Sequence, residues 1–311
     1  MVSSKAVCFI VGSYRSGTTF LAEVLGRHPR IAQFHEPYFV WDRYFGPGED
    51  DARIEAQATP RVQRYVTAEF NRFLRKSGAA VLVEKTPINS YRIPFINRMF
   101  PEARWIHLLR DGRDATLSMR HAWERRREVV ESGDPRRMAR LACSMLRRYP
   151  FWRNRFQALR FELTNNLSLR PRRYMNKAQW KGRAAWGARF PGWEKTIDKV
   201  SVLEFNALQW RHTVEAAREG LASIPSDRQV EVRYEDFTRD CETELRRIFD
   251  LIGLDPVPGL AADVSGQSVG RWHAGFAAAE KALVGEIIGD YLIALGYELD
   301  DAWYRRPSPG A

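Results

Sequence analysis

The chain has 311 residues and a formal net charge of +11, with 44% hydrophobic and 28% charged residues. This composition excludes an intrinsically disordered chain, because it supplies enough apolar surface for a full core. No segment approaches the ~20 consecutive apolar residues that span a bilayer, and the three cysteines show neither disulfide nor zinc-site spacing. We therefore expect a globular, cytoplasmic protein without a transmembrane segment.

A strand, a glycine-rich loop and a helix are predicted at the start of the chain. Residues 6–11 are an apolar, β-branched run that ends at Gly12, and residues 17–27 carry apolar side chains at helical spacing. The loop between them reads Gly-Ser-Tyr-Arg-Ser-Gly-Thr-Thr, which has the P-loop skeleton G-x-x-x-x-G-K-[ST] except that Thr18 replaces the lysine.

The missing lysine limits what this loop can bind. In a P-loop nucleoside triphosphatase that lysine contacts the β- and γ-phosphates, so its absence argues against triphosphate hydrolysis. The backbone N–H groups and the helix N-terminus still suit one nucleotide phosphate, and a purely structural glycine turn is the alternative. The side chains available to bind the phosphate oxygens are Arg15, Ser16, Thr18 and Thr19.

Two further apolar runs, residues 79–83 and 105–109, predict strands buried on both faces, as in a parallel sheet. Between them, residues 88–100 are partly helical in pattern, and Pro94 is expected to interrupt or restart the helix. Lys85 follows the first of these runs.

A second candidate anion site follows the run 105–109. Arg110 stands at the carboxyl end of this strand, where ligands of open parallel sheets bind, and Ser118 lies eight residues further on. The two side chains can hold one phosphate from two sides if the turn between them is tight. By itself, the string Arg-Asp-Gly-Arg-Asp also fits a surface ion-pair cluster.

The excess positive charge is concentrated in one segment. Residues 120–200 contain 21 basic and 7 acidic residues, and this part of the chain also carries several tryptophans and prolines without a sustained period. Such a field attracts anionic partners, whether nucleotide, acidic glycan, anionic lipid or nucleic acid. We interpret residues 120–202 as a helical, basic and aromatic insertion on the substrate side of the sheet.

Regular periodicity returns after this insertion. Residues 203–221, 240–252 and 276–295 are predicted as helices, residues 230–234 as a strand, and residues 305–311 as a disordered tail. The sequence thus predicts one α/β domain, residues 1–311, with a P-loop-like parallel sheet flanked by helices. Its core would consist of residues 5–119 and 203–296.

The two anion motifs together resemble those of sulfotransferases that use 3′-phosphoadenosine-5′-phosphosulfate (PAPS). The Arg-Ser-Gly-Thr-Thr loop is similar to the bacterial and Golgi carbohydrate-type enzymes rather than the cytosolic type. Residues 234–236, Tyr-Glu-Asp, resemble the family's motif after a core strand, and residues 269–272 its C-terminal cofactor-closing loop. Residues 120–205 match no motif of the family that we recognise.

The resemblance implies a role for each matching residue. Arg15, Ser16, Gly17, Thr18 and Thr19 would hold the 5′-phosphosulfate. Arg110 and Ser118 would bind the 3′-phosphate. The remaining matches would contact the nucleoside: Tyr234 near the adenosine, with Arg271 and Trp272 closing over the nucleotide.

Sulfuryl transfer needs a base for the acceptor proton and cations near the leaving oxygen. Glu36 is the preferred base, because carbohydrate-type members use a glutamate near this place, and His35 is the competitor, because cytosolic members use histidine. An exposed His-Glu-Pro turn without chemistry is the alternative. Lys85 would neutralise the leaving oxygen and resembles the family's K-x-P element. A single-phosphate leaving group requires no metal, and we expect none.

The acceptor is expected to be a hydroxyl of a glycan, a glycolipid or another small molecule, because tryptophans and arginines suit sugar rings and acidic groups. Residues 186–193 suggest an ordered loop at the mouth of the pocket. Two other classes remain open: a P-loop kinase or nucleotide hydrolase, and a basic protein that binds polyanions or nucleic acid. Two separate phosphate motifs favour the sulfotransferase, and nucleic acid is not expected as a partner. The oligomeric state does not follow from the sequence.

Overall fold

A computed structural model describes residues 6–45, 50–131, 134, 136 and 185–304. At its centre is a five-stranded sheet formed by β1 (Val7–Val11), β2 (Ile31–His35), β3 (Val81–Lys85), β4 (Arg104–Leu109) and β5 (Gln229–Arg233). Every neighbouring pair of strands is parallel, and the order is β2-β3-β1-β4-β5. All residues of β1 and β3 are buried, as expected for continuous apolar runs in a parallel sheet.

Helices cover both faces of this sheet, so the predicted α/β class is confirmed. The helices are α1 (Thr18–Leu25), α2 (Tyr38–Trp41), α3 (Pro60–Ser77), α4 (Ile93–Met99), α5 (Gly112–Glu131), α6 (Trp193–Thr196), α7 (Val202–Leu221), α8 (Tyr234–Arg239), α9 (Cys241–Ile252), α10 (Trp272–Gly275) and α11 (Ala278–Ala294). On one face Phe9 and Trp105 pack with residues of α3, α4 and α7, and on the other Ile10 and Ile106 pack with residues of α1 and α9.

The strand order decides where the loops meet. Strand β1 lies between β3 and β4, and in parallel strands all carboxyl ends lie at the same edge of the sheet. The P-loop after β1, Lys85 at the end of β3 and Arg110 after β4 therefore share that edge. Strand β2 pairs with β3 so that His35 stands opposite Lys85, which brings the His-Glu-Pro turn to the same place.

Several element boundaries differ from the sequence predictions. Pro94 restarts the helix as expected: a 3₁₀ helix, Pro87–Tyr91, precedes α4, and Pro94 occupies the first turn of α4, where no intrahelical N–H bond is lost. Strand β5 ends at Arg233, and Tyr234 is the first residue of α8 rather than the last of the strand. Helix α3 lies in a part of the chain where no element was expected.

Most of the predicted insertion lies outside the described residues, as does the predicted tail 305–311. Of its C-terminal part, residues 185–202 are described, and Phe190 and Trp193 are buried there among residues of α5 and α7. Within the described parts of the chain, no helix is long and apolar enough to cross a membrane.

Candidate active site

The P-loop leads directly into α1 and leaves the helix N-terminus without a side-chain cap. Gly17 occupies the N-cap position with φ +89°, and a Cβ there would lie 2.5 Å from the ring of Tyr234. Only glycine fits both this conformation and this contact. The uncapped backbone N–H groups of the first turn are thus available to an anion, which the helix dipole also favours.

Polar groups of the loop are held in positions that suit an anion. The Ser16 side chain is fully buried, and its Oγ has no hydrogen-bond partner among the described residues. Arg15 has φ +65°, a left-handed conformation that is unfavourable for a residue with a Cβ. Desolvation and the nearby guanidinium groups of Arg125 and Arg110 lower the pKa of Arg15. An anion here would supply the missing hydrogen bonds and offset the charge repulsion.

Arg110 connects the two candidate anion motifs. Its Nη1 donates to the carbonyl oxygen of Arg15 (2.8 Å), and Nε of Arg15 donates to Oγ of Ser118 (3.0 Å). Nη2 of Arg110 donates to the carbonyl of Ser268 (2.6 Å), while its buried Nε has no partner among the described residues. The structure thus brings Arg15, Arg110 and Ser118 into one contiguous site at the sheet edge.

The remaining charges of the Arg-Asp-Gly-Arg-Asp string form ion pairs, although not the surface cluster of the alternative interpretation. Arg113 pairs with Asp111 (2.7 Å) and with Glu298, and its guanidinium lies 3.9 Å from the centre of the Trp272 ring. Asp111, Arg113 and Trp272 are buried, so these contacts hold the C-terminal segment against α5 in the interior of the protein. Within Arg-Asp-Gly-Arg-Asp, Arg113 therefore pairs with Asp111 and with Glu298 of the C-terminal segment, whereas Arg110 faces the P-loop.

A groove of about 260 Å³ adjoins the P-loop on the side of α8. Tyr234, whose ring lies against Gly17 and under the Arg110 guanidinium (4.5 Å), forms one wall, and its hydroxyl is 2.7 Å from Oγ of Ser268. An aromatic wall beside hydroxyl and amide groups suits a nucleoside. The lining residues are Phe20, Tyr234, Asp263, Ser265, Gln267, Ser268 and Arg271.

The Trp272 side chain lies in the core and does not line the groove. Its side chain is 4% exposed and packs in the core with Arg113 and Trp303, because the backbone N–H groups of Gly270 and Trp272 both donate to Asp114 (2.7 and 2.9 Å). This anchoring turns the ring inward, so Trp272 does not line the groove, whereas its neighbour in sequence does.

The predicted reacting side chains meet on the other side of the P-loop. Nζ of Lys85, whose side chain is 1% exposed, donates to Oε1 of Glu36 (2.5 Å) and to Oγ1 of Thr19 (2.8 Å). Nε2 of His35 lies 3.7 Å from the same Glu36 oxygen. Glu36 itself has φ +43°, so backbone strain accompanies the position of its carboxylate. Glu36, Lys85 and Thr19 form one hydrogen-bonded group.

Aromatic side chains border this group. The hydroxyls of Tyr14 and Tyr38 lie 3.1 Å apart, and the rings of Tyr14 and Trp186 pack edge to face at 5.2 Å. Tyr38 opens α2 directly after the Glu36 turn, and Trp186 belongs to the predicted pocket-mouth loop. Trp193, from the same loop, is instead a core residue with 1% exposure. In the described portions of the chain, no group of three or more His, Cys, Asp or Glu side chains could hold a metal ion.

Comparison with known proteins decides the family. A model described as "Sulfotransferase family" matches residues 8–175 and 172–258, which is well over half of the chain. The chain belongs to the sulfotransferase family.

One curated relative matches part of this sulfotransferase. The nodulation protein NoeE of Sinorhizobium fredii (strain NBRC 101917 / NGR234) is 28% identical over 132 residues, which cover 38% of this chain and 32% of NoeE. The match thus spans about a third of the curated relative's length.

Among solved structures, the sulfotransferase domain from the curacin biosynthetic pathway aligns with 13% identity over 88% of this chain and 83% of that domain, with a TM-score of 0.48. A sulfotransferase from Alicyclobacillus acidocaldarius aligns with 18% identity over 96% and 98% of the two chains, with a TM-score of 0.44.

Sequence reasoning missed several residues that shape the site of this sulfotransferase. Asp114 anchors the loop before α10, and Glu235 accepts a hydrogen bond from the backbone N–H of Asp111 (2.9 Å), which fixes the turn after β4. Near the start of the chain the Tyr14 hydroxyl contacts that of Tyr38, and near its end the Ser268 carbonyl accepts a hydrogen bond from Arg110. Both acidic residues stood in motifs quoted from the sequence, but their partners are more than 100 residues away, and no local pattern reveals such contacts.

Proposed function

We propose that this chain transfers a sulfuryl group from PAPS to an acceptor hydroxyl, and that the acceptor is a carbohydrate or glycolipid. The observation that carries this proposal is the connection from Arg110 through Arg15 to Ser118. A nucleotide with separate 5′- and 3′-phosphate groups needs two anion sites on the same edge of the sheet. The hydrogen bonds between the two motifs support one donor that spans both.

The unsatisfied groups of the site fit such a donor. Ser16 Oγ and the α1 N-terminus would bind the 5′-phosphosulfate, together with Arg15, Thr18 and Thr19, and Arg110 with Ser118 would bind the 3′-phosphate. The groove beside Tyr234 and Arg271 would take the adenosine. When bound, PAPS supplies an activated sulfuryl group on a phosphate that leaves as part of adenosine 3′,5′-bisphosphate.

Glu36 is the better candidate for the base. Its side chain is 20% exposed and that of His35 only 7%, so the carboxylate is more accessible to an acceptor hydroxyl. In the proposed mechanism the hydroxyl oxygen of the substrate attacks sulfur while a carboxylate oxygen of Glu36 takes up the hydroxyl proton. His35 is the alternative base. Lys85 would stabilise the negative charge on the oxygen that leaves from sulfur, and Thr19 orients its ammonium group.

The aromatic border next to Glu36 supports a carbohydrate acceptor. Faces and edges of Tyr14, Tyr38 and Trp186 suit the C–H groups of a sugar ring, and tyrosine hydroxyls can bond its hydroxyls. The basic insertion would attract acidic groups on the same acceptor. We propose that this insertion and the core, residues 5–119 and 203–296, form a single domain.

Calorimetric titration with adenosine 3′,5′-bisphosphate tests the donor site. We expect micromolar or tighter binding by the wild-type chain and a loss of about 10- to 100-fold in Arg110→Ala, because hydrogen bonds to charged groups contribute about 1.5–3 kcal/mol. Arg246→Ala is the matched control, since Arg246 is an exposed arginine of α9 that pairs only loosely with Glu242 (3.5 Å).

Transfer of labelled sulfate from PAPS to a panel of saccharides, glycolipids and phenols then identifies the acceptor class. Absence of nucleotide binding by the wild-type chain would overturn the proposed function. Magnesium-dependent ATP turnover would instead indicate a kinase or hydrolase. Salt-sensitive binding of nucleic acid without nucleotide binding would indicate a polyanion-binding protein.

A further inference from the structure

Glu84 is a fully buried acidic residue that the mechanism above does not use. It precedes Lys85 in β3, so the two side chains point to opposite faces of the sheet. Three groups donate hydrogen bonds to its carboxylate: Nε1 of Trp41 (3.0 Å) and Oγ1 of Thr86 to Oε1, and Nδ2 of Asn89 (3.1 Å) to Oε2. A buried carboxylate with several donors is a strong structural tie.

The donors come from the segments that follow the two proposed reacting residues. Trp41 ends α2, which starts two residues after Glu36. Thr86 and Asn89 lie in the turn and the 3₁₀ helix immediately after Lys85. One carboxylate therefore joins the backbone that carries the base to the backbone that carries the cation.

The same 3₁₀ helix also contacts the P-loop. Oγ of Ser90 accepts a hydrogen bond from the backbone N–H of Gly12 (3.0 Å). Through Asn89 and its neighbour Ser90, the position of the Glu84 carboxylate is linked to the first residue of the phosphate-binding loop. Three strand ends of the site are thus connected through residues that lie behind it.

We infer that Glu84 is a positioning residue that holds Glu36 and Lys85 in register with each other and with the P-loop. This inference rests on the proposed function. Glu84 contacts neither of the two reacting side chains through a hydrogen bond, so its effect passes through α2 and the 3₁₀ helix. Its loss is expected to lower kcat while the anion-binding groups of the P-loop and of Arg110 keep their own contacts.

The hydrogen-bond chemistry of the cluster suggests a sharp test. Trp41 and Asn89 direct N–H groups at Glu84, and Thr86 directs a hydroxyl. A carboxylate accepts all three bonds, but the amide of Glu84→Gln has only one oxygen. With that oxygen toward Trp41 and Thr86, its NH₂ faces Asn89, which then has to rotate its own amide to accept the bond. The double variant Glu84→Gln with Asn89→Asp restores a donor opposite an acceptor and keeps one negative charge in the cluster.

Turnover of PAPS with the best acceptor of the panel and calorimetric binding of adenosine 3′,5′-bisphosphate are measured at about pH 8, where the Glu84 carboxyl is ionised. The wild-type chain is compared with Glu84→Gln and with the double variant Glu84→Gln, Asn89→Asp. We expect kcat of Glu84→Gln to fall about tenfold, as for one lost charge-assisted hydrogen bond, with nucleotide affinity within about threefold of wild type. The double variant should recover most of kcat. Recovery in the reciprocal variant is a readout that a merely space-filling side chain would not give.

Two results would overturn the inference alone: an unchanged kcat in Glu84→Gln, or an equal loss of kcat and nucleotide affinity that the second substitution does not restore. A wild-type chain that binds nucleotide and turns over PAPS in those same experiments leaves the proposed function intact. If the wild-type chain does neither, the proposed function is wrong and the inference falls with it.

Discussion

Nζ of Lys85 lies 2.5 Å from Oε1 of Glu36. Lys85 is the last residue of β3, and Glu36 directly follows the neighbouring parallel strand β2. The lysine is 1% exposed and also donates to Thr19 at the start of α1. A buried ammonium group is costly without partners, so the carboxylate and the hydroxyl hold it in place. The proposed base, the proposed cation and the P-loop are thereby fixed relative to one another before any ligand binds.

Lys85→Ala is expected to lower kcat by about 100-fold or more, because it removes the charge next to the leaving oxygen and frees the Glu36 carboxylate. Affinity for adenosine 3′,5′-bisphosphate should change much less. Steady-state turnover of PAPS and calorimetry provide the two quantities. Lys76→Ala, at an exposed lysine in the last turn of α3 and before the amino end of β3, is the control and should match wild type in both. An unchanged kcat would remove Lys85 from the mechanism.

Gly17→Ala is expected to impair both stability and nucleotide binding. The substitution places a Cβ 2.5 Å from the Tyr234 ring at a residue with φ +89°. Gly253→Ala is a matched control, because Gly253 also has a positive φ (+72°) but a Cβ there meets nothing within 4 Å. We expect Gly253→Ala to cost about 1 kcal/mol of unfolding free energy without affecting binding, and Gly17→Ala to cost distinctly more. Equal losses in urea unfolding would show that the Tyr234 contact is unimportant.

The stability of the protein should depend on pH through Glu84. Burial raises the pKa of Glu84 to about 7 although its three hydrogen bonds oppose the shift. Since this pKa is raised in the folded state, the native chain holds the extra proton between about pH 4.5 and 7, and stability falls as pH rises through this window. Relative to Glu84→Gln, the wild-type chain should lose about 3 kcal/mol between pH 4.5 and 8, at 1.36 kcal/mol per pKa unit.

Urea unfolding of the wild-type protein and of Glu84→Gln at several pH values measures this difference in stability. Glu231→Gln is a useful control, because a hydrogen bond from His107 lowers the pKa of Glu231 in the folded chain. Relative to Glu231→Gln, the wild-type chain should therefore not lose stability as the pH is raised. A difference between wild type and Glu84→Gln that does not change with pH would contradict the expected ionisation of Glu84.

The sequence predicted that the candidate site residues share one edge of the sheet, because the relevant signals are local. A glycine loop between a strand and a helix, and an arginine after a second apolar run, each lie within about ten residues, and parallel strands place their carboxyl ends together. The helix α3 carried no recognised motif and was missed. The burial of Trp272 in the core did not follow from the sequence either, because its backbone N–H is held by Asp114, which lies 158 residues away.

What the sequence determined by itself is the parallel α/β class, the altered P-loop and the candidate side chains, since backbone periodicity and motif spacing are encoded in neighbouring residues. Only the tertiary structure decided which of those side chains touch. The strand order brings Lys85 into contact with Glu36. The packing of α5 and of the C-terminal segment on the sheet brings Arg110 into hydrogen-bonding contact with the carbonyls of Arg15 and Ser268. Such contacts depend on packing between segments far apart in the chain, and that packing follows from the shape of the whole core rather than from any single motif.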